Sequence, residues 1–226
     1  RDSNYVTAVA PAGPEVWFAT RNGVSRLRPK EGFKNFVRMW GYAHNDATDC
    51  AADKKWLYVA TVEGARCYDR DAGPPTFDTV PRSQGPSSKL SPQINDGWRV
   101  FVNPDGCVLD DLYAVSVEDD VVYWGGHGRV FTCRPGGVDW RELPVSLPEA
   151  AVRRVLTVRD GLLIATDAGT FLFDGATTNR LPSPLGYIPT RDMVAFGGFV
   201  FFATADGLYA RRLNGCLLYT SPSPRD

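Results

Sequence analysis

The chain has 226 residues, 43% hydrophobic and 12% aromatic, with 25 Lys and Arg against 26 Asp and Glu and a net charge of −1. That much apolar material excludes a disordered segment, and the even charge with no basic run excludes a nucleic-acid or anionic-membrane surface. No apolar stretch reaches the roughly 18 residues that span a bilayer, so no membrane-spanning segment is expected, and a chain that starts at Arg1 is expected to be cut at both ends.

The first unit reads as four short strands, Tyr5 to Ala10, Glu15 to Thr20, Val24 to Arg28 and Phe33 to Val37, rich in Val, Tyr, Phe and Trp and bounded by Gly, Pro or Asn. The second strand ends in a phrase that recurs: an apolar run with Ala-Thr, two variable residues and Gly. It stands at Ala19-Thr20 to Gly23, Ala60-Thr61 to Gly64, Ala165-Thr166 to Gly169 and Ala203-Thr204 to Gly207, with a degraded copy at Tyr123-Trp124-Gly125-Gly126 to Gly128. Measured at Thr20, Thr61, Gly126, Thr166 and Thr204, the steps are nearly even except for a much longer one from Thr61 to Gly126. A period of about 40 built of short strands predicts an all-β fold, a β-propeller with five four-stranded antiparallel blades present and the ring incomplete. Glycine after each Thr suits a tight hairpin that needs a positive φ.

The long step marks an insertion. Aligning fourth strands puts Thr76 to Val80 in the second unit and leaves Pro81 to Asp111 as extra material before the next inner strand at Leu112 to Val117. Within it, Trp98 to Val102 and Cys107 to Leu109 flank Asn-Pro-Asp-Gly and read as an added hairpin overhanging the face of the Ala-Thr-x-x-Gly turns. At the other end of the chain, Cys216 to Asp226 carries two prolines where a fourth strand belongs. The expectation is a propeller over 1–215 and a non-native tail, resembling translated adapter sequence, over 216–226, so that the fifth blade lacks a regular outer strand.

Five cysteines and two histidines, His44 and His127, show no ligand spacing, and neither a metal nor a cofactor is expected. The cysteines read as buried small hydrophobes, with a Cys50 to Cys67 bridge left open.

Glu15-Val16-Trp17-Phe18-Ala19-Thr20-Arg21-Asn22-Gly23-Val24-Ser25-Arg26 resembles the repeats of bacterial two-component regulator propellers, the ligand-binding sensor propellers. Ala replaces that family's usual Gly before Thr in four units and Gly-Gly replaces the pair in the third. The resemblance covers about residues 1 to 213 and implies a sensing part of a signalling protein in a periplasmic or extracellular location. Streptogramin-lyase propellers share the Trp-Phe strand.

Because strands alternate in direction, turn residues Arg21, Asn22, Glu63, His127, Asp167 and Asp206 share one face with the connections between blades, which carry Tyr42, His44 and Tyr187. With Trp98 from the insertion they form the candidate binding surface; mixed charge beside aromatics suits a small molecule, a glycan or a protein loop. No nucleophile, base and orienter assemble by spacing, so no catalytic residue is assigned. A binding or protein-interaction module is the expectation, with a propeller-fold lyase or hydrolase and a structural scaffold as alternatives.

Overall fold

The computed structural model describes residues 5–36, 46–72, 93–95, 97–212 and 217–222. It is an all-β propeller of five antiparallel blades. Blade 1 comprises β1 (Val6–Ala12), β2 (Glu15–Thr20), β3 (Gly23–Arg28) and β4 (Gly32–Phe36); blade 2 comprises β5 (Ala47–Ala52), β6 (Trp56–Thr61), β7 (Gly64–Asp69), β8 (Gln93–Asn95) and β9 (Trp98–Phe101). Blade 3 follows with β10 (Ala114–Glu118), β11 (Val121–Gly125), β12 (Val130–Arg134) and β13 (Val138–Glu142). Blade 4 is β14 (Val152–Val158), β15 (Gly161–Thr166), β16 (Gly169–Phe173) and β17 (Thr178–Arg180). Blade 5 is β18 (Thr190–Phe196), β19 (Phe199–Thr204), β20 (Gly207–Arg212) and β21 (Leu217–Pro222).

The repeated phrase closes the β2–β3 type of hairpin through its threonine. Thr61 Oγ1 donates to the Gly64 carbonyl at 2.7 Å and accepts from the Glu63 amide at 3.3 Å. Thr20, Thr166 and Thr204 repeat the first bond to Gly23, Gly169 and Gly207 at 2.9, 2.7 and 2.8 Å. Those four glycines have φ between 104° and 128°, where a Cβ is strained. Blade 3 departs because Gly125 lies so close to Val152 of the next blade that a side chain at Gly125 would collide with it.

Four clusters of buried side chains each join one pair of neighbouring blades. Alternation along a strand aims successive residues at opposite neighbours: Trp98 packs with Trp17 and Tyr68 toward blade 1, whereas Phe101 packs with Trp124 and Trp140 toward blade 3.

The second blade corrects the expected insertion. Trp98–Phe101 pairs directly with β7, Tyr68 opposite Trp98 and Ala65 opposite Phe101, and is the blade's own fourth strand rather than one arm of an added hairpin. A strand apolar on both faces belongs between two neighbouring blades, and that pattern decides its place. The whole stretch 70–97 separates β7 from β9, where only 29–31 separates β3 from β4, and this long connection accounts for the surplus in the repeat spacing. Cys107 to Leu109 forms no strand, and Thr76 to Val80 lies outside the described residues. Blade 5 is a second correction, since β21 pairs with β20 as its outer strand. Proline is admitted there because Pro222 is the last residue of an edge strand, where a missing N–H breaks no further ladder.

Among the described residues no buried cluster joins blade 5 to blade 1. Val194 and Phe196 of β18 are 56% and 76% exposed. They hold the places in β18 that Leu156 and Val158 hold in β14, and in blade 4 that pair packs against blade 5. Blade 5 therefore shows the face that blade 4 buries, and Val9 and Phe33 are exposed on blade 1.

Two outcomes follow. Replacing Thr61 by the isosteric Val removes a buried hydroxyl that both donates and accepts, and chemical denaturation should show a loss of about 1–2 kcal/mol. The open face of blade 5 should bind a hydrophobic dye and promote self-association; Phe196→Asp should reduce both without lowering the unfolding midpoint, and unchanged dye binding would contradict this reading of the face.

Candidate functional site

The first strand of four blades carries a β-bulge at the same place. Register shifts between Val6 and Ala8, Ala47 and Asp49, Val152 and Arg154, and Thr190 and Asp192, so that Thr7, Thr48, Arg153 and Arg191 are the extra residues. A bulge sets two adjacent residues against one and re-aims their side chains. Here it brings Thr7 and Ala8, Thr48 and Asp49, Arg153 and Arg154, and Arg191 and Asp192 to the wall of a central funnel of about 760 Å³. Tyr113, at the equivalent position of blade 3, lines it too, and Tyr5, Arg21 and Asp46 stand in the same wall.

In blades 1 and 2 the extra residue latches onto the next blade: Thr7 Oγ1 donates to the Ala47 carbonyl and Thr48 Oγ1 to the Leu112 carbonyl, each at 2.7 Å. Asp49 adds to the second latch, accepting from the Val115 amide at 2.9 Å and from its neighbour Cys50 at 2.8 Å. Burial pushes the Asp49 carboxyl up from 3.8 to about 7, against the lowering effects of the Val115 amide and the Arg154 charge.

In blades 4 and 5 the same position is cationic. Asp167, from the β15–β16 turn, accepts two bonds from Arg153 at 3.0 and 2.6 Å and one from Arg191 at 2.8 Å. The Arg153 hydrogen bonds hold Asp167 below the ordinary aspartate range, and Asp167 raises Arg153 in return. Partly exposed pairs of this kind contribute only about 0.2–1 kcal/mol, so their main effect is to fix two guanidiniums side by side. Arg153 also lies over the Tyr113 ring at 5.3 Å, and Tyr113 neighbours His127 at 6.5 Å. Arg154 faces Asp192 at 3.6 Å, and Arg21 covers the Tyr5 ring at 4.4 Å.

Of the sequence candidates, Arg21 stands in the wall, Asp167 holds two of its arginines and exposed His127 flanks Tyr113. Asn22, Glu63 and Asp206 stay on their turns, their amides bonded to the preceding threonine. Tyr187 is 68% exposed beneath Arg180, away from the funnel wall. Trp98 is corrected from binding residue to core residue: only 1% exposed, its ring lies 5.0 Å from Tyr68. Tyr42 and His44 lie outside the described residues. Sequence reading passed over Asp49, Arg153, Arg154, Arg191 and Asp192. A signal was present, because Thr7, Thr48, Tyr113, Arg153 and Arg191 all stand at one fixed distance ahead of the repeated phrase's threonine position, held by Thr20, Thr61, Gly126, Thr166 and Thr204. Cys50, Cys67, Cys107 and Cys133 are buried and unbridged.

No protein-family model matches the chain, and no curated protein does. Solved structures share the fold. The extracellular domain of a one-component system, BT4673 of B. thetaiotaomicron, is 14% identical with a TM-score of 0.69, over 97% of this chain and 28% of that one. The extracellular domain of a hybrid two-component system, BT3049 of the same organism, is 14% identical with a TM-score of 0.67, over 93% of this chain and 29% of that one. The WD40 β-propeller domain of Doa1 is 15% identical with a TM-score of 0.68, over 97% of this chain and 69% of that one. The chain thus spans under a third of the two extracellular domains it resembles. Among the described residues no helix is long and apolar enough to cross a membrane.

The Asp49 carboxyl gives the funnel wall a pH dependence of definite sign. Its folded value lies above its unfolded one, so its contribution to stability is full below about 3.8 and is lost as pH rises through about 7. Denaturation midpoints should fall between about pH 4 and 7 in the native protein and level off above that. Asp49→Asn, which cannot ionise, should show a flatter profile; an identical slope in both proteins would assign the dependence elsewhere.

Proposed function

We propose that this chain is the ligand-binding or protein-interaction part of a sensor-type β-propeller, acting outside the cytoplasm, with the funnel mouth as its site. The observation that carries the reading is the position-specific wall: one repeat position, at a fixed distance ahead of the phrase, supplies Thr, Tyr or Arg to the same cavity in every blade. A cavity of about 760 Å³ lies within the range of about 300–1,000 Å³ typical of small-molecule sites. Its position at the face of the turns leaves it open to a ligand or to a loop of a partner.

Binding is favoured over catalysis because the acids of the mouth are engaged in holding structure. Asp167 clamps two arginines, and Asp49, although its carboxyl is raised to about 7, has both oxygens on backbone amides, whereas acid–base catalysis needs an oxygen free to reach the substrate. The likeness of fold to extracellular domains of signalling systems supports the sensing role and the location.

Ala8 lies on the funnel wall with a small side chain, so Ala8→Trp should plug the funnel while leaving the turn face intact. Calorimetric titration with disaccharides, dipeptides and dicarboxylates should find at least one saturable one-to-one binder of the native chain that the Ala8→Trp protein no longer binds. Retained binding in a folded Ala8→Trp protein would move the site off the funnel.

A further inference from the structure

The mouth is unequal in its unused hydrogen-bonding groups. Three of its four acids are engaged, exposed Asp46 being the exception among the described residues: both oxygens of Asp167 are taken by Arg153 and Arg191, both of Asp49 by the Cys50 and Val115 amides, and one of Asp192 by the Met193 amide at 2.8 Å. Its cations are not. Arg153 uses Nε and Nη2, and Arg191 uses Nη1. Among the described residues Arg153 Nη1 and Arg191 Nε and Nη2 have no hydrogen-bond partner, and Arg154 Nε is a buried donor with none, its ion pair to Asp192 at 3.6 Å being too long for one. These three side chains come from β14 and β18, and all line the funnel. Asp46 lies on the blade 2 part of the wall and Arg21, stacked over the Tyr5 ring, on the blade 1 part, so the cluster of adjacent unused donors is on blades 4 and 5.

A guanidinium that keeps N–H groups free in a partly desolvated cleft is matched by an oxyanion, because hydrogen bonds between ionised partners are about twice as strong as neutral ones and planar guanidinium fits carboxylate and phosphate geometry. The Asp167 clamp and the Tyr113 ring fix Arg153 beside Arg191 in advance, which lowers the ordering cost of binding. We propose that the ledge formed by Arg153, Arg154 and Arg191 is an anion subsite, taking a small organic molecule through its carboxylate or phosphate group. This rests on the reading of the funnel as the binding site and adds the chemical class of what enters it.

The test is isothermal titration of the whole chain at fixed low ionic strength with citrate, inorganic phosphate and, as an uncharged comparator, maltose. Citrate, phosphate or both should bind saturably at one site, weaken as sodium chloride is added, and weaken by about tenfold or more in Arg154→Gln and in Arg191→Gln. Citrate alone would assign a carboxylate ligand and phosphate alone a phosphate. Both variants keep the Arg153–Asp167 pair, and far-ultraviolet circular dichroism with thermal unfolding checks that they fold. Anion binding that is equal in the native and both variant proteins would be adventitious and would overturn the proposal, as would the absence of binding by both anions. Maltose binding abolished by Ala8→Trp, with both anions silent, would overturn the anion class and leave the funnel reading standing. Anion binding retained in Ala8→Trp but lost in the arginine variants would keep the ledge as an anion site and remove the funnel as its setting.

Discussion

Each of blades 2, 3 and 4 is a sheet that is apolar on both faces, and such a sheet buries both only between two others. Trp98 and Phe101, at opposite ends of one strand, are buried against different neighbours. A strand of this kind has no solvated side on which to place a polar residue, so polar side chains go to the turns, the outer strands and the axis. Packing blade against blade therefore sets where chemistry can be located before any ligand is considered. Crowding at the axis is the same constraint seen from inside, and it is why Gly125 takes the place of Ala where Val152 approaches.

The bulge in the first strand is how the fold uses that axis. Inserting one residue disrupts the ladder locally, and in blades 1 and 2 the inserted threonine offsets the disruption by bonding to the next blade through its hydroxyl. In blades 4 and 5 the inserted residue is arginine, too long to serve as a latch, and the neighbouring turn supplies Asp167 to hold it. One backbone device thus latches blade to blade on one side of the funnel and sets charged side chains in its wall on the other. Substitution at a single repeat position is enough to move a blade from one use to the other.

The architecture was legible because Thr and Gly in the repeated phrase each have one local reason to be there, a hydroxyl closing the turn and a positive φ. Local reasons leave a spacing that a single chain displays. Blade 2 was misread because a long connection, 70–97, separates its fourth strand from the third, and pairing across such a gap depends on which edge is free rather than on nearby letters. Trp98 misled for the same reason: an aromatic beside a turn signal reads as exposed unless its strand is known to stand between two blades. The funnel residues were hidden differently. Arg153-Arg154 and Arg191-Asp192 lie inside runs that otherwise read as core strand, and only the bulge turns them toward solvent, a change of direction that a period of two cannot display.

Net charge conceals the property of the mouth that matters most. A chain at −1 predicts no long-range attraction for ions of either sign, yet the funnel sets three arginines against Asp167 and Asp192 on blades 4 and 5 and places Asp46 and Asp49 on blade 2. Charges separated by more than about 8–10 Å in physiological salt are largely screened, so this asymmetry does little to draw a ligand from solution. Inside a cleft with protein walls the effective dielectric constant is lower, and for the anion proposed above the same asymmetry would turn its negative end toward blades 4 and 5. Selectivity of this kind is expressed in orientation and residence rather than in capture. It fits a site built from rigid first strands rather than from a mobile lid.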